Sequence, residues 1–495
     1  MSTDEVTRTQ RSGDEGGGPG DRRQWHILAV VLVGSFMAVL DTTIVNVALP
    51  SIGKGLHASS AGLEWVVSGY ALTFGLSLVP AGRLGDRYGA KPFFLGGLLL
   101  FTLASVGCGV SQNSSELIVA RIIQGVGAGV FYPAISATLQ RTFTGDERSR
   151  AFAYFGAVVG ISTAVGPLLG GILIELAGEQ SGWRWVFLVN LFVGAVVLPV
   201  AFRVLPGDRD DQRHELDPVG NALLAAVLLL MLVPLVEGRS AGWPLWSFVV
   251  LAAAVPVAAI LKFWEVRLFH REGEPVLRPD LLRHRSFAGG QLLALCYFAG
   301  FTSLFFTLSI AWQEGLGRSA LATGLLIVPF ALGSLLTASK SNRVSARLGR
   351  RTIMIGCTGM LVGQAGAVLA LHLGGPSPSA WLLVGPLAVA GIGNGLVVAP
   401  NQDFALGSIP QREAGTAGGS LITAQRVGAA IGIAVIGTVL FGSGQQGSST
   451  QKVMPQLVHT AQSATLVNLG FVVVALVCTL TLPASIRQER AEENE

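Results

Sequence analysis

The chain has 495 residues, of which 51% are hydrophobic and only 13% are charged, and its formal net charge is +4. Soluble proteins carry about 25% charged residues, so this composition excludes an ordinary soluble enzyme or binding domain. Most of the 64 glycines lie within apolar runs, which is typical of membrane helices that pack closely. The composition therefore predicts an integral membrane protein built from α-helices.

Apolar runs long enough to cross a membrane recur along the whole chain. A helix needs about 20 mostly apolar residues to span about 30 Å of hydrocarbon. The qualifying runs are, in chain order, 27–49, 62–82, 92–111, 117–139, 151–175, 185–204, 217–236, 244–263, 287–312, 319–339, 352–373, 380–402, 415–441 and 463–484. The sequence thus predicts an all-α membrane protein with 14 transmembrane helices.

Basic residues orient these spans, because cytoplasmic loops carry an excess of Lys and Arg. If both termini and every even-numbered loop are cytoplasmic, 27 of the 34 Lys and Arg residues fall on the inside. An odd number of spans would invert half of the loops and remove this bias. We therefore expect a multi-pass protein of the cell membrane, in a bacterial plasma membrane, with both termini in the cytoplasm.

An internal repeat divides the chain into two halves. Loop 2–3 and loop 10–11 align at an offset of 260, which places Arg83 on Arg343, Arg87 on Arg347 and Gly89 on Gly349. The fourth and twelfth spans share a row of alternate glycines, in 125–129 and 391–395, each followed by a proline. Repeats of this kind are typical of secondary transporters, whose substrate site lies near the membrane midplane between the halves.

The repeat predicts two six-helix bundles with an inserted helix pair between them. The expected segments are a disordered cytoplasmic tail (1–24), an N-terminal bundle (25–204), the inserted pair (205–265), a cytoplasmic linker (266–286), a C-terminal bundle (287–486) and a cytoplasmic tail (487–495). The first segment is polar and glycine-rich without an apolar core, so it is not expected to be a signal peptide.

Four motifs follow one another in the N-terminal half. They are Leu40–Pro50 in the first span, Gly82–Lys91 in loop 2–3, Arg121–Gly125 in the fourth span and Gly166–Gly171 in the fifth. Together they resemble the major facilitator superfamily, in particular its fourteen-helix drug/proton antiporter branch. The resemblance extends from the first span to the last. Three positions depart from the usual motifs: Ala90 replaces a basic residue, and Ala153 and Ser162 replace glycines.

The resemblance implies that the loop 2–3 motif gates the cytoplasmic side and that the fifth span carries an antiporter motif. The gating residues are Gly82, Arg83, Asp86, Arg87, Gly89 and Lys91. Asp86 is expected to join a charge network that closes this side in one conformer. Topology alone explains Lys91, but not an acidic residue in a turn flanked by glycines. In the fifth span, Gly166 and Pro167 permit a kink, while Gly170 and Gly171 permit close packing, with or without gating.

Asp41 is the only clear carboxylate inside a predicted span, and it is the candidate proton carrier. A charge near the bilayer centre costs at least about 2.5–3.5 kcal/mol, so the side chain should face a cavity or a partner. At 1.5 Å per residue, Asp41 lies about 12 Å and Arg121 about 6 Å below the outer surface, so the two can pair. The alternatives are a purely structural Asp41 and an Arg121 that extends to the surface.

The predicted substrate cavity comprises Asn46, Gln124, Phe298, Phe301, Phe305 and Arg426. The phenylalanines share one face of the ninth helix, and such a stripe can also pack or face lipid. If it lines the cavity, it suits apolar or aromatic substrates. Arg426 lies about 16 Å into the thirteenth span, where it can contact backbone carbonyls or attract an anionic or polar group. Asp403 is its nearest candidate partner.

These features predict a secondary transporter that exports small amphipathic or hydrophobic compounds, such as drugs, dyes or antibiotics, in exchange for protons by alternating access. We expect a monomer that binds no nucleic acid and uses the proton gradient without a cofactor. An exporter of a lipid, siderophore or other metabolite and an uptake symporter are alternatives. An intramembrane enzyme is disfavoured, because no carboxylate or histidine cluster has suitable spacing, and a phosphate-binding loop is absent. The separate cysteines and scattered histidines predict no metal site.

Overall fold

Helices account for all regular structure in the residues that the structure describes. The computed structural model describes residues 19–207, 217–271, 273, 275–276, 280–375, 378–407, 409, 414–442 and 453–483. The α-helices are α1 (Pro19–Leu56), α2 (Ser60–Tyr88), α3 (Ala90–Val110), α4 (Ser114–Thr142), α5 (Gly145–Ala177), α6 (Trp183–Val204), α7 (Pro218–Ser240), α8 (Leu245–His270), α9 (Arg285–Ile310), α10 (Ala320–Leu348), α11 (Arg351–Leu373), α12 (Ala380–Gly395), α13 (Val398–Gly407), α14 (Ala414–Gly442) and α15 (Val453–Cys478). A π-helical turn, Ala311–Gly315, continues α9.

The predicted number of membrane spans is confirmed. Within the described residues, 14 helical segments are long and apolar enough to cross a membrane. The twelfth, Ala380–Gly407, is made by α12 and α13 together, so α14 and α15 are the thirteenth and fourteenth spans. The membrane interior offers no water to backbone N–H and C=O groups, and a helix satisfies them internally. Apolar length alone therefore determines the secondary structure of these segments.

Some helix boundaries differ from those expected. α1 begins at Pro19, because proline suits the first helical turn, where an N–H has no helical partner. The predicted tail 1–24 is thus shorter, and its residues 1–18 lie outside the described part of the chain, as does the tail 487–495. The twelfth span is interrupted at Leu396 and Val397, since Pro400 has no N–H to donate to the Leu396 carbonyl. The predicted linker 266–286 is partly helical, because α8 continues to His270.

The spans form two bundles that meet along a seam. Helices α1–α6 pack against one another, as do α9–α15, while α2 contacts α14 and α5 contacts α10 across the seam. Gly89 and Gly349, at equivalent places of the repeat, end α2 and α10 with positive φ angles of 96° and 56°. Glycine is the residue that adopts this conformation without strain. The two halves of the internal repeat therefore share a positive-φ glycine at the end of the equivalent helix.

The seam is closed at one end of the bundles. Since the number of spans is even, α1 begins and α15 ends on the same side, called here the terminal side. On the opposite side, Ser309 Oγ donates to the Asn46 carbonyl at 2.5 Å and Gln313 Nε2 donates to the Val47 carbonyl at 2.9 Å. Towards the terminal side, a methyl group on Gly156 of α5 would meet nothing within 4 Å. The contacts of Ser309 and Gln313 with α1 therefore join the two bundles tightly on the opposite side.

The first helix of the inserted pair, α7, packs over the seam at the periphery of the two bundles, and α8 packs on α7. α7 packs on both α2 and α14. Its Glu237 carboxylate accepts a hydrogen bond from Trp65 Nε1 of α2 at 2.9 Å, and its Leu235 carbonyl accepts one from Thr438 Oγ1 of α14 at 3.2 Å. Both contacts lie near the opposite side. α7 therefore holds one helix of each bundle on the side where the seam is closed.

Candidate functional site

A closed polar cluster lies inside the N-terminal bundle. The Asp41 cluster consists of Asp41 (α1), Ser105 (α3), Arg121 and Gln124 (α4) and Asn190 (α6), each no more than 1% exposed. Arg121 Nη1 donates to Asp41 Oδ2 at 2.6 Å. Gln124 Nε2 and Asn190 Nδ2 donate to Asp41 Oδ1 at 2.9 and 3.3 Å. The structure thus brings Asp41 and Arg121 into direct contact, deep in the membrane.

Arg121 has other partners besides Asp41. Its Nη1 also donates to Gln124 Oε1 at 2.7 Å, and its Nε donates to the Val66 carbonyl at 3.0 Å. The guanidinium carbon lies 4.0 Å from the centre of the Tyr70 ring, which allows a cation–π interaction. Val66 and Tyr70 belong to α2, which packs along the seam. Arg121 therefore connects the carboxylate to a helix that contacts the other bundle.

The geometry explains how two charges can stay inside the membrane. Removing an ion from water costs several kcal/mol, and a buried pair offsets this only if its geometry is good and its remaining polar atoms are hydrogen-bonded. Both oxygens of Asp41 accept hydrogen bonds, and Ser105 Oγ accepts further ones from Gln124 and Asn190 at 3.1 and 3.0 Å. The cluster is therefore a connected hydrogen-bond network around one buried carboxylate.

Three buried polar side chains that bear on the site, Ser105, Asn190 and Glu64, were not identified from the sequence. Ser105 and Asn190 complete the Asp41 cluster, and Asn190 could have been noticed as an isolated amide in the apolar sixth span, where a polar group is costly. Glu64 of α2 is 0% exposed and packs against Gly437 of α14, which leaves no room for a side chain at that glycine. The expectation that Asp41 is the only clear carboxylate in a span is therefore wrong. Glu64 was overlooked because it lies at the edge of the second predicted span.

The C-terminal bundle has no counterpart of the Asp41 cluster at the equivalent place. Aligning Gly125 with Gly391 shifts the numbering by 266, so that Leu387 and Ala390 stand where the N-terminal bundle has Arg121 and Gln124. Both are 1% exposed and belong to an apolar core. The two halves of the repeat therefore differ chemically at this place, and the buried Asp41–Arg121 pair belongs to the first half.

The fifth-span motif joins two different interfaces. A methyl group on Gly166 would lie 3.0 Å from Thr43 Cβ, and one on Gly170 2.9 Å from Ile44 Cγ1, both in α1. A methyl group on Gly171 would instead lie 2.7 Å from Leu321 Cα in α10, across the seam. Small residues allow such backbone contacts between membrane helices. The motif therefore packs α5 inside its own bundle and against the other bundle.

The loop 2–3 motif lies at the terminal side. Arg83 is 6% exposed, and its Nη2 donates to the Pro275 carbonyl, in the segment between the bundles, at 2.5 Å. Lys91 Nζ donates to the Leu205 carbonyl at the end of α6 at 2.9 Å, a favourable position for a cation. Arg87 is exposed beside the Tyr88 ring, and Gly82 faces Pro133. The side chain of Asp86 lies outside the described part of the structure.

The residues predicted to line a substrate cavity are distributed over three places. Gln124 lies in the Asp41 cluster, and Asn46 is 3% exposed in the closed part of the seam. Phe298 and Phe301 are partly exposed, whereas Phe305 is buried against Phe330, with ring centres 5.0 Å apart. In this conformation these three side chains therefore face packed protein. Gln124 lies in the polar network, Asn46 in the closed part of the seam, and Phe305 among aromatic rings.

Arg426 is the remaining predicted cavity residue, and it lies between the bundles. It projects from α14 towards α2, with its guanidinium carbon 4.3 Å from the centre of the Phe74 ring. Asp403, its candidate partner, is exposed on α13, and the ion pairs found among the described residues do not include Arg426. Among the same residues, no group of three or more His, Cys, Asp or Glu side chains could hold a metal ion.

Two helical bundles that are related by an internal repeat, with a buried ion pair beside the seam, are typical of a membrane transporter of the two-bundle kind. The sequence profile of the Major Facilitator Superfamily matches residues 31–433, and the chain belongs to this family. It is a transporter and not an enzyme, and it is a multi-pass membrane protein.

Similar proteins support this assignment. The chain is 35% identical over 434 residues to the probable actinorhodin transporter of Streptomyces coelicolor, covering 87% of this chain and 75% of that protein. It is 33% identical over 488 residues to the puromycin resistance protein pur8 of Streptomyces alboniger, covering 96% and 94%. A crystal structure of an auto-inhibited POT family peptide transporter has the same fold, with a TM-score of 0.63, 16% identity and coverage of 93% of this chain and 95% of that one.

Proposed function

We propose that this protein exports small amphipathic or hydrophobic compounds, such as drugs, dyes or antibiotics, in exchange for protons by alternating access. The observation that carries the proposal is the buried Asp41–Arg121 pair at 2.6 Å. Asp41 is a carboxylate inside the membrane, and its partner Arg121 donates to the Val66 carbonyl of α2, a helix of the seam. The relatives named for resistance to puromycin and for transport of actinorhodin support export as the direction.

We assign the terminal side to the cytoplasm of a bacterial cell, with both termini inside and the protein working as a monomer. The distribution of Lys and Arg supports this orientation. The seam is then closed towards the outside, and a substrate would enter between the bundles from the cytoplasm or the inner leaflet. Opening of the outer side requires the contacts of Ser309 and Gln313 with α1 to break.

Proton exchange at Asp41 provides the coupling in this proposal. When Asp41 takes up a proton, its attraction for Arg121 weakens, while Arg121 keeps Gln124, the Val66 carbonyl and the Tyr70 ring as partners. Because the last two lie on α2, a shift of Arg121 changes the position that α2 prefers at the seam. Loop 2–3, with Asp86, closes the cytoplasmic side in the other conformer. The energy comes from the proton gradient, at about 2.3 kcal/mol per charge for each 100 mV.

Transport by the purified chain tests this function. The protein is reconstituted in proteoliposomes with an imposed pH gradient, and fluxes of aromatic compounds of positive, neutral and negative charge are compared. We expect accumulation of at least one class, and we expect a protonophore to abolish it. One charge moved through 100 mV supports more than tenfold accumulation. Accumulation that needs ATP and ignores the pH gradient would refute proton exchange.

A further inference from the structure

Arg426 is a cation in the middle of the membrane without an acidic partner among the described residues. It lies near the centre of α14, which packs across the seam against α2. Its Cβ is so close to α2 that a methyl group on Gly75 would lie 3.1 Å from it. The side chain is partly exposed, and its Nε is buried without a hydrogen-bond partner. The position is too deep for the side chain to reach a membrane surface.

Among the described residues, no carboxylate pairs with Arg426, whereas a carboxylate pairs with Arg121. Asp41 neutralises Arg121, so the Asp41 cluster contributes no net charge when its carboxyl group is ionised. The titratable groups that interact with Arg426 are the phenols of Tyr70 and Tyr132, which are neutral in their ordinary form. The space between the bundles therefore carries a net positive charge at Arg426. An intramembrane ionisable residue of this kind indicates a functional site.

The Arg426 guanidinium lies on an aromatic ring of the N-terminal bundle, and further aromatic rings pack beside that ring. Phe74 lies under it, and the Phe74 ring centre is 5.6 Å from that of Tyr132 and 5.7 Å from that of Tyr70. Tyr132 in turn contacts Phe155 of α5, with ring centres 6.0 Å apart. A cation set among rings can bind a negative group and an aromatic body at the same time.

We infer that Arg426 is the anion-binding group of the substrate site, and that the exported compounds carry a carboxylate, phenolate or similar negative group on an aromatic or apolar body. This inference rests on the proposed export function and names its substrate class. The negative group would take the place that Asp41 takes for Arg121, and the body would lie against Phe74 and Tyr132. Compounds with a positive charge are repelled at the same place.

Two dyes with the same fused-ring skeleton test the inference. Fluorescein is an anion and rhodamine 123 is a cation at neutral pH, and their fluxes are measured in proteoliposomes under one pH gradient. We expect the wild-type protein to move fluorescein faster than rhodamine 123. Arg426→Gln should lower fluorescein transport about 10- to 100-fold, the loss expected for a hydrogen bond to a charged group. Arg426→Lys should restore part of it.

Two controls separate this effect from misfolding and from general electrostatics. Arg318→Gln removes the same charge from an exposed residue on the opposite side, and it should leave the ratio of the two fluxes unchanged. Gel filtration of each variant checks that the protein remains folded. Faster transport of rhodamine 123 by the wild type, or an unchanged flux ratio in Arg426→Gln, would overturn the inference and leave proton-driven export intact. If neither dye is transported in response to the pH gradient, the proposed export function is refuted, and the inference about Arg426 is refuted with it.

Discussion

Replacing Asp41 with asparagine removes the only negative charge of the Asp41 cluster and keeps its shape. The side chain can still accept a hydrogen bond from Arg121, but it can no longer bind and release a proton. We therefore expect Asp41→Asn to abolish accumulation of substrate against its gradient, while substrate binding and passive counterflow persist. The reason is that the proton gradient loses the group through which it acts, whereas the path between the bundles is unchanged.

The same substitution should also lower stability by an amount that the structure allows to be estimated. Arg121 is 1% exposed, and leaving a buried charge without its partner costs about 3–5 kcal/mol. The double variant Asp41→Asn/Arg121→Gln removes both charges, so it should recover most of this free energy of unfolding. It should not recover coupling. Stability and coupling are thereby separated, because one depends on charge balance and the other on an exchangeable proton.

Unfolding in detergent and flux in proteoliposomes measure the two effects on the same preparations. The matched control is Glu179→Gln, which breaks the exposed ion pair with Lys54 at 3.1 Å and should change the free energy of unfolding by no more than about 1 kcal/mol. If the double variant still concentrates substrate under an imposed pH difference, the coupling proton is carried elsewhere. Glu64, buried at the seam, would then be the next carboxylate to replace.

Gly171→Val should hold the opposite side open, because even a methyl group there would lie 2.7 Å from Leu321 Cα. Labelling from outside of a single cysteine introduced in place of Ser309, in the closed part of the seam, should increase, whereas Gly156→Val, where the space is empty, should leave it unchanged. Asp86→Asn should lower flux severalfold with unchanged expression and substrate affinity; wild-type flux would leave only the topological explanation of this loop. A single cysteine at position 241, between α7 and α8, should react with an impermeant maleimide on intact cells, and a label on the N-terminal tail in that assay would contradict the proposed orientation.

The secondary structure and the number of spans could be predicted from the sequence because a membrane leaves few choices. Each apolar run of sufficient length must be a helix, since its backbone polar groups have no other partners. The repeat of loop motifs around Arg83 and Arg343 likewise predicted two related bundles. The boundaries were less certain, because residues such as those of 19–24 and 453–462 are polar enough to lie outside the hydrocarbon and still be helical.

The pairing of Asp41 with Arg121 was also within reach of the sequence, because depth along two helices follows from 1.5 Å per residue. The other members of the cluster were not. Ser105 and Asn190 belong to the Asp41 cluster only because α3 and α6 are rotated about their axes so that these side chains face α1 and α4. The positions of the spans in the sequence do not predict how each helix is rotated. For the same reason Gln124 was placed in the cavity, whereas the structure turns it towards Asp41.

The sequence by itself determined which residues are charged inside the membrane, and the tertiary structure decided which of those charges are balanced. Arg121 and Arg426 look alike in sequence, since each is an isolated arginine in an apolar span. Packing gives Arg121 a carboxylate, an amide and a carbonyl, and gives Arg426 an aromatic ring across the seam. The physical reason is that the partners of a buried ion come from neighbouring helices, so its electrostatic state is set by how the helices face one another.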